Sequence, residues 1–180
     1  SDLAGTGDRM VEAMGLSHGM SVLDCTLGFG ADAIVASFAV GPEGKVTGIE
    51  SQPLIETVVG YGLAHFKAEN WPIQEAMRGI ETVCADAFSY LKQQENDSVD
   101  VVYFDPMFRH PLLESRSLSP LRTVANHAPI SPAMIEEACR VARRRVVFKE
   151  NARSLEFERL GFTQIMGGRY SKVHYGVRIL

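Results

Sequence analysis

Short apolar runs alternate with longer amphipathic ones along most of the chain. The runs "SVLDCT" (21–26), "KVTGIE" (45–50), "IETVCAD" (80–86), "VDVVYFD" (99–105) and "RRVVFKE" (144–150) have the length and residue types of strands. Between them, "GFGADAIVASFAV" (28–40), "PLIETVVGYGLAHFKAEN" (53–70), "AFSYLKQQ" (87–94) and "SPAMIEEACRVA" (131–142) space apolar residues as helices do. Pro53 and Pro132 stand where a first helical turn accepts proline, and Ser131 suits an N-cap. Two more helices are predicted, one over Asp8–Gly15 and one in "ARSLEFERLGF" ending at Gly161. Strands separated by helices predict a doubly wound, mostly parallel sheet. The last two strands, "FTQIMG" and "KVHYGVRIL", have only "GGRYS" between them. Parallel neighbours need a crossover of about a dozen residues or more, so this pair is predicted to be antiparallel. The expectation is one α/β domain over 1–180, with seven strands and an antiparallel C-terminal pair.

In open α/β sheets ligands bind beyond the carboxyl ends of the strands. The tips are therefore where chemistry is sought. Strand 1 runs into Asp24-Cys25-Thr26-Leu27-Gly28-Phe29-Gly30-Ala31-Asp32. Gly28 and Gly30 let backbone approach a ligand, and the following helix start offers free N–H groups. Asp24 suits either a ligand contact or, more simply, a hydrogen bond that braces the loop. Strand 2 ends in Glu50, whose carboxylate can accept from two ribose hydroxyls. Strand 3 ends in Asp86, placed for an exocyclic amino group or, in the plainer reading, for a helix N-cap. Gly28, Gly30 and Ala33 also match a loose dinucleotide pattern, with Glu50 at the right spacing for NAD. The polar step Asp24-Cys25-Thr26 before the first glycine departs from that pattern.

Strand 4 leads into Asp105-Pro106-Met107-Phe108. Proline at 106 removes a donor and biases residue 105 to extended backbone. The Asp105 side chain and local carbonyl then form a cluster of acceptors, which suits an incoming NH2 group. Phe108 is positioned to stack on a planar base, a contact worth about 1–3 kcal/mol.

The stretches "VLDCTLGFGADA", "GIESQP", "VVYFDPMF" and "ARRRVVFKE" resemble the class I S-adenosylmethionine-dependent methyltransferases. More narrowly they are similar to the bacterial small-subunit ribosomal RNA guanine-N2 methyltransferase family. Thr26 stands in both at the usual first glycine. The resemblance implies a Rossmann-like fold, S-adenosyl-L-methionine as cofactor and RNA as substrate. It implies that Ala31, Asp32, Glu50, Ser51, Asp86, Ala87 and Asp105 line the methyl-donor pocket, beside Asp24, Gly28 and Gly30. Asp105, Pro106 and Phe108 become the catalytic candidates. The expected reaction is methyl transfer to a nucleobase amine. An NAD-type oxidoreductase and a silent module binding cofactor or RNA are the other readings.

Composition sharpens the partner question. The net charge is −4, yet residues 1–100 carry −10 and residues 101–180 carry +6. A basic second half can attract a polyanion, unless the halves mix in space and cancel. Arg109, Arg116 and Arg122 follow the proline motif, fewer cations than that family carries there, and suit either phosphates or a solvated lid. Arg143-Arg144-Arg145 suits either RNA or a solvated helix end. Cys25, Cys84 and Cys139 are widely spaced, with no CxxC and no HExxH-like pair, which predicts reduced thiols, a cytoplasmic setting and no metal. No apolar run approaches the roughly 20 residues of a membrane span. No charged start followed by an apolar block suggests a secretory signal.

Overall fold

In the computed structural model, residues 2–106 and 129–180 are described. Their chain order is α1 (Asp2–Met14), β1 (Ser21–Asp24), α2 (Ala31–Val40), β2 (Lys45–Glu50), α3 (Pro53–His65), α4 (Trp71–Arg78), β3 (Ile80–Cys84), α5 (Ala87–Gln93) and β4 (Val99–Phe104). Then follow α6 (Pro132–Val141), β5 (Ala142–Asn151), α7 (Glu156–Arg159), β6 (Gln164–Met166) and β7 (Val173–Ile179). The strands form one sheet in the order β3-β2-β1-β4-β5-β7-β6. The first five are parallel, while β7 runs antiparallel to both β5 and β6. The fold is the doubly wound sheet with an antiparallel end that the apolar pattern predicts.

Strand alternation explains why both sheet faces are covered. Val101 and Tyr103 of β4 join one buried cluster with Met10, Met14 and Val59. Val102 and Phe104, the intervening residues, join the other with Leu91, Ile135 and Phe148. A strand shows successive side chains to opposite faces, so central strands must be apolar throughout. Strand order reverses between β1 and β4, whose register pairs Asp24 with Tyr103. That is the switch point at which such sheets open a crevice.

Local chemistry moves several boundaries. The apolar run over 53–70 is two elements. Helix α3 continues through Gly60 and Gly62 but ends at His65. Asn70 then caps a new helix, its side chain accepting from Ile73 N at 3.3 Å, with Pro72 in the first turn. The opening helix starts at Asp2 rather than Asp8. Strand β5 begins at Ala142, directly at the end of α6. The stretch that follows Pro106, residues 107–128, lies outside the described residues, and with it Phe108, Arg109, Arg116 and Arg122.

Phe148 anchors the second cluster. Its ring stacks on Phe162 and meets Phe157 edge-on, both at 5.6 Å between centroids. Phe148→Ala should cost about 3–5 kcal/mol, read as a lower urea midpoint. Phe38→Ala, at a half-exposed ring, should change stability by no more than about 0.5 kcal/mol.

Candidate active site

The loop after β1 is tied to both neighbouring strands. Cys25 N donates to Tyr103 O at 2.9 Å, and Leu27 N donates to Ile49 O at 3.0 Å. It can lie down on β2 because residue 48 is glycine: a Cβ there would meet Leu27 Cδ1 at 2.5 Å. Gly28 and Gly30 both have positive φ, +52° and +85°. Glycine takes that conformation without steric cost, so the chain can turn sharply into α2, whose first two residues are Ala31 and Asp32.

Asp24 braces this loop. Its Oδ1 accepts from Thr26 N at 3.0 Å and from Thr26 Oγ1 at 3.3 Å. The same Thr26 hydroxyl accepts from Asp105 N at 2.6 Å. Threonine in place of a first glycine thus joins the loop after β1 to the residue that leaves β4. Pro106 follows directly, half-buried.

Three carboxylates meet one ammonium here. Lys149 Nζ lies 3.3 Å from Asp32 Oδ2 and 3.4 Å from Asp105 Oδ2. Tyr103 donates to Asp32 Oδ2 at 2.6 Å. Asp24 and Asp105 are themselves almost fully buried. Burial, then the charge of Asp32, pushes Asp24 up to about 7, against the Thr26 hydrogen bonds and the Lys149 charge. Burial likewise pushes Asp105 up to about 8; Lys149 opposes this while Asp32 and Asp24 add to it. Burial alone would lower Lys149, but Asp32 and Asp105 hold it above the ordinary lysine range. Burial also takes Tyr175 to about 12. The Tyr175 hydroxyl is buried and has no hydrogen-bond partner among the described residues. The cluster therefore carries more acid than its one lysine neutralises, and it would welcome a further cation or a hydrogen-bond donor.

Beside it a cleft encloses about 510 Å³, counting its open mouth. Glu50, Ser51, Asp86 and Ala87 line it together, with Thr26 between cleft and cluster. Ile49, Phe104, Ile130 and Met134 supply apolar walls. Glu50 is buried, and its Oε2 accepts from Gln52 N at 2.9 Å. Asp86 does act as a helix N-cap, its Oδ2 accepting from Ser89 N at 2.9 Å, and it still faces the cleft. The donor set suits S-adenosylmethionine: apolar walls and carboxylate acceptors for a nucleoside, then further carboxylates for a ligand bearing ammonium and sulfonium charges. Among the described residues no three His, Cys, Asp or Glu side chains are grouped to hold a metal ion. No helix among them is long and apolar enough to cross a membrane.

Sequence reasoning brings out Asp24, Asp32 and Asp105 but assigns no role to Lys149, Tyr103 or Tyr175. The signal for Lys149 is its position, a cation closing the apolar run "VVFKE" at the site end of a central strand. Arg143-Arg144-Arg145 is not at the site. Arg143 and Arg144 pair with Asp100 at 3.0 and 3.4 Å, at the opposite end of the strands. Burial raises Asp100, but the bonds from Arg143 and Ser21 and the two arginine charges outweigh it and lower its pKa. Arg145 donates to Ala13 O at 2.9 Å, capping the C-terminal end of α1.

Residues 2–165 match the family model described as "Putative SAM-dependent methyltransferase". The chain belongs to this methyltransferase family. It is 45% identical over 175 residues to the Bacillus subtilis protein named "Uncharacterized protein YpiP", covering 97% of this chain and 68% of that one. It is 31% identical over 150 residues to the "Ribosomal RNA small subunit methyltransferase J" of Pseudomonas fluorescens, covering 81% of this chain and 56% of that one. The chain thus spans little more than half to two thirds of the curated relatives it matches. In fold it is similar to the crystal structure of a SAM-dependent methyltransferase from Neisseria gonorrhoeae, with TM-score 0.64, 19% identity, and 96% and 70% of the two chains covered. The methyltransferase family's cofactor is S-adenosylmethionine.

The raised carboxyls give this methyltransferase a pH signature. Asp24 and Asp105 bind protons more tightly folded than at their ordinary value of 3.8. Their contribution to stability is complete below about pH 4 and is lost as pH rises through 7 to 8. The melting temperature should fall as pH rises from about 5 to 8, and Asp24→Asn should lessen that fall. Parallel melting curves for the two proteins would contradict the assignment.

Proposed function

We propose that the protein methylates an exocyclic nitrogen of a nucleobase in RNA, with small-subunit ribosomal RNA as the favoured substrate. The observation that carries this reading is Asp105: a buried acceptor, fixed by Thr26 and Lys149, at the carboxyl end of β4 beside the cleft that Glu50 and Asp86 line. The relatives named as ribosomal RNA methyltransferases support the substrate class. Membership of a methyltransferase family supports the methyl-donor reading over the dinucleotide one.

When bound, S-adenosylmethionine supplies an electrophilic methyl group on a positively charged leaving group. In this reading Glu50 accepts from the ribose hydroxyls, with its second oxygen held by Gln52. Asp86 and Ser51 contact the nucleoside, and Ala87 walls it. Gly28, Gly30, Ala31 and Asp32 take the amino-acid end, while Asp24 holds their loop in place. Asp105 would accept from the substrate NH2 and so orient the nitrogen lone pair toward the methyl group that the cofactor would supply. Pro106 keeps that residue extended. Phe108, outside the described residues, is assigned the stacking role on the strength of the sequence alone. The cofactor would supply the methyl group to that nitrogen, with the electron pair of the broken sulfur–carbon bond left on sulfur, and the methylated amine would then lose a proton. Positioning of this kind can supply several kcal/mol of the barrier, on the order of 7–11 in the best-aligned systems.

Asp105 accepts fully only when ionised. Transfer of tritiated methyl groups to RNA should therefore rise with pH along a limb at or below about 8. Asp105→Ala should lower the rate by about 10²–10⁴ with cofactor binding retained. Lys149→Met should move the limb to higher pH, because it removes the cation that favours ionised Asp105. Full activity in Asp105→Ala would refute its role. Label appearing in protein or small amines, and not in RNA, would refute the substrate.

A further inference from the structure

Among the described residues, most basic side chains in the second half of the chain are already engaged. Arg140, Arg143, Arg144, Arg145, Lys149, Arg159 and Arg178 all bond to carboxylates or carbonyls. Three are not: Arg153, Arg169 and Lys172 are exposed, and their side chains make no hydrogen bond or ion pair among the described residues. These three are not scattered. Asn151 of β5 pairs with Val173 of β7, and Ala152 N donates to Lys172 O at 2.8 Å. Arg153 and Lys172 therefore flank one seam, and Arg169 lies on the turn between β6 and β7.

That turn is at the same end of the sheet as Asp105. Phe148 pairs with Phe104, and Lys149 pairs with Tyr175. From Lys149 to Asn151 is two extended residues, roughly 7 Å, and Arg153 follows in a turn that Ser154 N closes by donating to Asn151 O at 2.9 Å. A fourth exposed cation joins from α1: the Arg9 guanidinium is 3.3 Å from where a side chain on Gly168 would begin. Between these cations stands Tyr170, 89% exposed, with the Arg169 guanidinium 5.5 Å from its ring centre. A tyrosine so exposed has little reason to sit there for packing.

The turn is built rather than loose. Ser171 N donates to Gly168 O at 3.0 Å, and the His174 ring nitrogen Nε2 lies 3.1 Å from the same oxygen. A Cβ on Gly167 would fall 2.0 Å from the His174 ring, so the close approach depends on glycine. The neighbouring acid Glu150 is occupied locally, its Oε1 accepting from Asn151 N at 2.8 Å.

We propose that Arg9, Arg153, Arg169 and Lys172, with Tyr170 among them, form the footing for a single-stranded stretch of the RNA substrate. The cations take backbone phosphates, and Tyr170 stacks on a base next to the one presented to Asp105. This inference rests on the RNA reading of the site. It adds where the strand lies and which residues hold it. An exposed aromatic among cations is how sequence-tolerant single-strand surfaces are built.

The test is binding of deproteinised bacterial small-subunit ribosomal RNA by fluorescence anisotropy over a range of salt, with calorimetry for S-adenosylmethionine on the same proteins. In the triple variant Arg153→Ala/Arg169→Ala/Lys172→Ala, three lost phosphate contacts should make the log–log salt slope shallower by about 2 and weaken binding by about 10- to 100-fold at 0.1 M salt. Tyr170→Ala should weaken binding by about 5- to 150-fold with the slope unchanged. Lys67→Ala, an exposed cation beyond the far end of α3, should do neither. Cofactor affinity should be the same in all, which shows that the variants are folded. If the wild type methylates RNA and the triple variant binds it with the same affinity and slope, this surface is wrong and the active-site reading stands. If the wild type neither binds nor methylates RNA, both fall together.

Discussion

The constraint on which the site depends is the shortage of positive charge around two buried carboxylates and a half-buried third. Asp24, Asp32 and Asp105 come from three different points in the chain, and one ammonium, Lys149, faces two of them. Buried charge is tolerated only when it is paired and hydrogen-bonded. Here the pairing is incomplete, and the chain answers by raising two of the acids toward neutrality. A ligand that brings positive charge would restore the balance.

The fold makes that cluster possible through strand order. Strands β1 and β4 are adjacent, although 74 residues lie between the end of one and the start of the other. Asp24 and Asp105 become neighbours for that reason, joined by the Thr26 hydroxyl. Parallel β5 adds Lys149 from the other side of β4, and antiparallel β7 adds Tyr175 opposite Lys149. Glu50 and Asp86 arrive from β2 and β3, on the far side of the same crevice. Two half-sites result. One is lined by apolar walls with acceptors at the edge; the other is charged and almost closed to water.

Much of this was legible in the sequence because strand ends in an α/β sheet are read by position. A carboxylate that closes an apolar run, as Glu50 and Asp105 do, falls at the crevice whatever the details of packing. The Asp-Cys-Thr step after β1 was visible as an oddity, and its meaning came from the Thr26 hydroxyl reaching the Asp105 amide. What pattern alone could not show was which charges would meet. Lys149 reads as an ordinary strand-end lysine until the register sets it between Asp32 and Asp105. The three consecutive arginines suit either RNA or a solvated helix end by pattern, and the structure instead pairs them with Asp100 and the end of α1, at the opposite end of the sheet. The α3–α4 break was also missed, because the apolar spacing runs on past His65 while Asn70 and Pro72 start a new helix.

The most direct test is a crystal structure of the protein with S-adenosylhomocysteine bound. The account predicts the ribose hydroxyls on Glu50, the adenine between the apolar walls near Asp86, and the sulfur turned toward Asp105. A ligand bound elsewhere, or one whose sulfur faces away from the Asp105–Lys149 pair, would contradict it.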